Sequence, residues 1–178
     1  MSKKITSLFN FKKLQKFSSA LMLPIAILPA AGLILAIGIS FNIELLANCG
    51  GLIFANLPLL FCVGIVIGLT GDGSSSLSAI ISYMIMNATM GTQLGITAES
   101  VAASNGDYAM ILGVPTLQTG VFGGLIVAIF VYLLYTRFHN IELPQFLGFF
   151  GGKRFVPIIT AVAAIIVGYL LPWLWIPV

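Results

Sequence analysis

The chain has 178 residues, 59% hydrophobic and 7% charged, with eight Lys and Arg against five Asp and Glu. A soluble globular domain carries about 25% charged residues. So few charged side chains cannot build a water-exposed surface of ordinary size, which excludes a water-soluble domain and makes lipid the main solvent.

The elements follow in chain order. Asn10 is placed to cap a helix starting at Phe11. On it Phe11, Leu14, Phe17 and Leu21 share one face, with Lys12, Lys13 and Lys16 on the other, as in a basic helix lying at a membrane surface; a flexible basic tail is the alternative. Five windows without Asp, Glu, Lys or Arg come next: 17–43, 45–71, 73–98, 108–136 and 155–178. A spanning helix needs about 20 mainly apolar residues, so each window predicts one span, at 17–39, 52–70, 75–90, 119–136 and 155–175. The third is short and carries Ser78, Ser82 and Asn87, which a helix buried in protein tolerates. The runs do not alternate in polarity, which excludes a β-barrel. The first apolar run is longer than a signal-peptide core and is followed by no clear cleavage site, so it reads as retained.

Basic residues set the orientation, because cytoplasmic loops carry the excess Lys and Arg. Lys3, Lys4, Lys12, Lys13 and Lys16 precede the first span, and Arg137, Lys153 and Arg154 lie between the fourth and fifth. With the N-terminus inside, all eight are cytoplasmic, and the outer loops hold Glu44, Glu99 and Asp107. Trp173 and Trp175 then fall at the outer interface, where an aromatic belt belongs. The fold class is an all-α membrane protein of about five spans, N-terminus in the cytoplasm, preceded by a basic amphipathic helix.

Few residues carry chemistry. Cys49 is expected in the first outer loop and Cys62 in the second span, about 20 Å apart along a helix and too far for a disulfide. "GFFGGKR", Gly148 to Arg154, lacks one residue of P-loop spacing and has Arg154 where Ser or Thr is required. His139 has no partner histidine. "NAT" at Asn87–Thr89 matches a glycosylation pattern, but at a helix end in a chain with no other sign of secretion. No catalytic residue, metal site, cofactor or nucleic-acid partner is expected. Gly64 with Gly68, and Gly120 with Gly124, form small-xxx-small pairs that let helices approach in lipid, either within one subunit or across a homodimer. Pro24, Pro29 and Pro58 fall inside spans and remove backbone donors. Asp72, in "GLTGDGSSS", is placed to cap the third span, with Ser74 the rival cap, or to meet a cytoplasmic partner. The segment 91–118 is either a plain outer loop or a cover over the outer mouth, with a turn at Asn105-Gly106-Asp107. Between the fourth and fifth spans Pro144 sets a break. Phe146, Leu147, Phe149 and Phe150 rest on the membrane surface or on the protein body, and Gly151-Gly152 permits a sharp turn before Lys153 and Arg154. That pair either pins the fifth span by attraction to anionic headgroups or orients an anionic partner.

"KLQKFSSALMLPIAILPAAGLILAIG", "IFANLPLLFCVGIVIGLTGDG", "YMIMNATMG", "LGVPTLQTGVFGGLIVAIF" and "RFHNIELPQFLGFFGGKRFVPIIT" together resemble the membrane C-component of the bacterial sugar phosphotransferase system. The branch is the glucose, N-acetylglucosamine and maltose one, closest to glucose-type permeases. The resemblance runs nearly the whole chain in order, with "LPQFLGFFGGKRFVP" its most specific piece. It implies a multi-pass protein of the bacterial inner membrane that imports a hexose and delivers it as the 6-phosphate. The phosphoryl group comes from a cysteine of the B-component, charged by a histidine of the A-component. The family's C-component is about twice as long, and its "GITEP" and "PFGLHH" segments, which build most of the sugar site, have no counterpart here; nor has the B-component cysteine motif. Residues 1–178 therefore correspond to the scaffold and dimerisation half. Two functions stay open: half of a sugar permease, inactive without the remainder, or a stand-alone membrane scaffold. By the same resemblance Lys153, Arg154 and Asp72 are the candidate docking residues for the B-component.

Overall fold

The computed structural model describes residues 11–175. Asn10, Lys3, Lys4 and the side-chain faces expected for residues 11–14 lie outside what it describes. Helix α1 (Phe11–Ser40) is one helix of 30 residues, so the basic segment leads into the first span without a break. Pro24 and Pro29 lie within it. Asn42 turns the chain at φ 53, a backbone region that Asn tolerates better than most residues. Helix α2 (Glu44–Ala55) then runs back along α1. The two approach closely because Gly38 faces the backbone of Ala47, and a Cβ on Gly50 would stand 2.7 Å from Leu35 Cα.

The expected second span, 52–70, is two helices. Helix α3 (Leu57–Thr70) follows α2 after a bend of 57°. Pro58 has no N–H to donate, and its ring clashes with the carbonyl four residues back. At the same bend the Asn56 side-chain amide donates to the Leu52 carbonyl at 2.8 Å. Cys49, expected in a loop, therefore sits on α2, and is exposed, while Cys62 is buried in α3. Gly71, at φ 69, ends α3 with its N–H on the Ile67 carbonyl.

Helix α4 (Gly73–Gln93) turns its polar groups inward. Ser75, Ser78, Ser82 and Asn87 are buried beside Tyr83, Met86 and Met90. Ser78 Oγ donates to the Ser74 carbonyl and Asn87 Nδ2 to the Tyr83 carbonyl, so these donors are satisfied on the helix's own backbone. At the C-terminus the Ile96 N–H reaches the Gly91 carbonyl and the Gly95 N–H that of Thr92, with Gly95 at φ 61. These paired bonds, closed by a left-handed glycine, form a Schellman stop.

Residues 91–118 are more ordered than a plain loop. A short helix α5 (Ala98–Ala103) starts on a Thr97–Ser100 capping box. Strands β1 (Tyr108–Ile111) and β2 (Val114–Leu117) form an antiparallel hairpin, Tyr108 opposite Leu117 and Ile111 opposite Val114. Leu112 and Gly113 both have positive φ, 52 and 79, the geometry that matches a two-residue turn to strand twist. The chain also bends at Gly106, φ 107, as the Asn105–Asp107 turn requires, but the hairpin turn itself lies at Leu112-Gly113. Gly91 packs directly beneath the Pro115 carbonyl, and the hairpin sits against α4.

Helix α6 (Gly120–Phe138) and helix α7 (Val156–Trp175) complete the bundle. Short 3-10 turns at Gln145–Phe150 and Gly152–Arg154 lie between them. Helix α4 lies along α7, α3 along α6, and α1 against α2 and α3. The core where they meet holds Ile65, Val66, Tyr83, Met86, Val127 and Val131. The outward faces stay apolar, as with Leu33 on α1 and Ile166, Leu170 and Trp173 on α7. Outward apolar faces of this extent suit lipid rather than water.

Among the described residues three helices are long and apolar enough to cross a membrane: 15–40, 120–138 and 152–175. The bent α2–α3 pair makes a fourth. The remaining expected span, 75–90, corresponds to α4, whose 21 residues suffice in length but not in apolar composition. The chain is an all-α membrane protein with one small hairpin.

Candidate functional site at the basic end of the bundle

Ala20 of α1 abuts Gly68 of α3, so the Lys16 end of α1 and the Asp72 end of α3 lie together. Tyr135, near the end of α6, and Lys153, just before α7, reach the same place. The basic residues described by the structure therefore gather at one end of the bundle.

Asp72 is the centre of that end. Its Oδ1 accepts the Ser74 N–H at 3.1 Å, capping α4. Its Oδ2 accepts the Tyr135 hydroxyl at 2.7 Å and pairs with Lys153 Nζ at 3.0 Å. The Asp72 carbonyl also accepts from Ser75 Oγ, at 2.6 Å. One carboxylate thus ties the α3–α4 turn, the end of α6 and the α6–α7 connection. The Tyr135 hydrogen bond above all, then Lys153 and the Ser74 N–H, hold the Asp72 carboxyl at about 2, below its ordinary 3.8, against the opposing effect of partial burial.

The connection is shaped to deliver Lys153. Pro144 opens the 3-10 turn, with the Leu147 N–H on its carbonyl at 2.8 Å. Gly152, at φ 65, returns the chain so that its N–H reaches the Ile141 carbonyl at 2.9 Å. The positive φ is where the Gly-Gly pair is needed. Arg154 points elsewhere. Its guanidinium lies 4.8 Å from the Phe149 ring centroid and 3.4 Å from the Phe149 carbonyl. His139 stacks on Tyr135 at 5.0 Å between centroids, with Nδ1 2.9 Å from the Tyr135 carbonyl oxygen.

Asp72 and Lys153, 81 positions apart, are brought together, and Asp72 is the cap in preference to Ser74. Arg154 is adjacent but does not join them. Tyr135 was not among the residues expected at the site: a tyrosine near the end of an apolar span gives no sign of a carboxylate 63 positions away.

The small-residue pairs resolve differently. A Cβ on Gly64 would stand 2.8 Å from Pro24 Cδ, and one on Gly68 would stand 2.5 Å from Ala20 Cβ. Gly124 meets the Pro58 carbonyl oxygen. These three glycines are contact points within the subunit. Gly120, at φ 55, has open space around it. Elsewhere an open surface groove of about 510 Å³ runs beside the α4–α7 contact, lined by Ile85, Thr89, Gln93, Ile165 and Tyr169 among others.

Such an arrangement defines a polytopic helical membrane protein, closely packed in lipid and stapled by charge at one end. The chain belongs to the EIIC family of the phosphotransferase system, whose profile it matches over residues 18–178. It is 44% identical to the glucose-specific EIICBA component of Staphylococcus saprophyticus over 93% of its own length. It spans 27% of that relative.

Proposed function

We propose that the chain is the scaffold part of a glucose-type sugar permease, importing a hexose with phosphorylation and serving A- and B-components from the cytoplasm. The observation that carries this reading is the 44% identity to a glucose-specific component across nearly the whole chain. The basic end faces the cytoplasm on this reading, since the excess of Lys and Arg belongs there. An incoming phosphorylated domain meets that end, and Lys153, held by Asp72, positions the α6–α7 connection for it. The homodimer belongs to the same proposal. Its interface excludes Gly64, Gly68 and Gly124, which already touch Pro24, Ala20 and Pro58, and leaves Gly120 as the one of the four free to serve.

The test is a chimera. The corresponding segment of a glucose-specific EIICBA protein is replaced by this chain in a bacterium lacking other glucose uptake. Accumulation of labelled glucose phosphate is expected. With Lys153→Gln in the chimera, insertion and sugar binding are expected to persist while phosphorylation slows. A chimera that inserts normally but neither binds nor phosphorylates glucose overturns the glucose-type reading.

A further inference from the structure

The connection between α6 and α7 carries an apolar surface that the ion pair does not use. Phe146 is 82% exposed, Phe149 71% and Phe150 44%. Adjacent exposed aromatics of this size mark an interaction surface, and three observations identify what it meets. The last stretch long and apolar enough to cross a membrane opens at Gly152, directly after these residues, so the rings adjoin its start. Arg154 covers the Phe149 ring, placing cation and aromatic surface together, as interfacial segments do. Asp72 is engaged by Lys153 and Tyr135, and among the described residues no carboxylate lies within ion-pair distance of Arg154. Its charge is available to an outside anion.

We propose that Gln145–Phe150 is an interfacial anchor. Phe146, Phe149 and Phe150 enter the headgroup layer of the leaflet at the basic end, and Arg154 binds the phosphate of an anionic lipid there. The anchor fixes the height of the connection, and with it Lys153, relative to the bilayer. It rests on the membrane character of the chain, not on the transport reading. A bilayer is favoured over a protein partner because the rings adjoin the start of a span, at the depth of the lipid headgroups.

The test places an environment-sensitive fluorophore on Phe146→Cys in a Cys49→Ser background, leaving the buried Cys62 in place. The full chain is reconstituted in phosphatidylcholine vesicles with and without phosphatidylglycerol. Nitroxide lipids labelled near the headgroup report contact with the bilayer, and iodide on both faces reports contact with water. The expected result is strong lipid quenching and weak iodide quenching with phosphatidylglycerol present. Arg154→Gln, or omission of the anionic lipid, should raise iodide quenching by about twofold or more, as lost headgroup attraction predicts. A fluorophore on native Cys49, at the far end of the bundle, should be unchanged by Arg154→Gln, which reports an intact fold. A label at Phe146 open to iodide in anionic vesicles overturns the anchor. A label shielded from both quenchers also overturns it, and assigns the patch to a second copy or another protein. Lipid contact indifferent to Arg154→Gln overturns the phosphate contact.

Discussion

Close glycine contacts hold both ends of the bundle, Gly68 against Ala20 at the basic end among them, but among the described residues only the basic end adds a charged tie. At the basic end a single carboxylate, Asp72, accepts from the α4 backbone, from Tyr135 and from Lys153. At the other end contacts are steric: Gly38 against Ala47, Gly124 against the Pro58 carbonyl, Gly91 under the Pro115 carbonyl. Backbone contacts in lipid depend on the absence of a side chain and are indifferent to pH and salt. Charged contacts at the water-facing end can be screened, titrated or exchanged for a partner. The end proposed to meet soluble components is thus the adjustable one.

The largest effect expected from breaking this contrast is at Gly124. Gly124→Leu drives a side chain into the Pro58 carbonyl, which a backbone oxygen cannot avoid by changing rotamer. A cost above about 3 kcal/mol is expected, at the severe end of overpacking. Loss of monodisperse protein in mild detergent would read it. Gly51→Leu on α2, with nothing near the position, is the control expected to express normally. Equal behaviour of the two variants would remove the steric account.

A smaller effect belongs to the charged end. Asp72→Ala removes a helix cap and strands the Tyr135 hydroxyl, together costing about 2 kcal/mol. Asp72→Asn keeps a capping oxygen and should lose clearly less. Lys153→Gln alone should cost about 0–1 kcal/mol, because the lysine is mostly exposed and such pairs are weak. Apparent melting temperatures in detergent, compared across the three variants, check the order. A Lys153→Gln loss equal to that of Asp72→Ala would show the ion pair, not the cap, to be the main tie.

The smallest effect is on protonation, which leaves the Asp72 side chain in place. Its carboxyl is depressed in the folded protein, from 3.8 to about 2. The unfolded chain therefore binds this proton more readily, and stability rises with pH in that window. The contribution is complete above about pH 4 and is lost as pH falls through about 2. Tyr135→Phe removes the largest cause of the depression, so it should move the acid transition toward the ordinary carboxylate value. An acid transition identical in Tyr135→Phe and the parent would detach the hydroxyl from Asp72.

The membrane class was legible from composition, and four of the five helices lie close to the charge-free windows, because exclusion of charge from hydrocarbon acts on each segment separately. Asp72 as a cap was legible for the same reason, since a cap involves only residues one turn apart. Pro58 was visible, but the 57° bend it accompanies was not, because a proline inside a span is compatible with a kink of any size until neighbours take up the freed groups. The hairpin at 108–117 was missed because Leu112-Gly113 lacks the Asn-Gly or Asp-Gly signature of such turns.

Local chemistry, then, was determined by the sequence alone: which segments avoid water, which residue caps α4, which glycine must turn. Partnership was decided by the tertiary structure. Gly64 and Gly68 looked equally suited to a dimer until α1 brought Pro24 and Ala20 onto them. Lys153 and Arg154, neighbours in sequence, were separated in role when the φ of Gly152 aimed one at Asp72 and left the other on Phe149. The physical reason is one of range. Hydropathy and capping act over a helical turn or a single span, whereas a contact between Asp72 and Lys153 exists only after the intervening helices have packed.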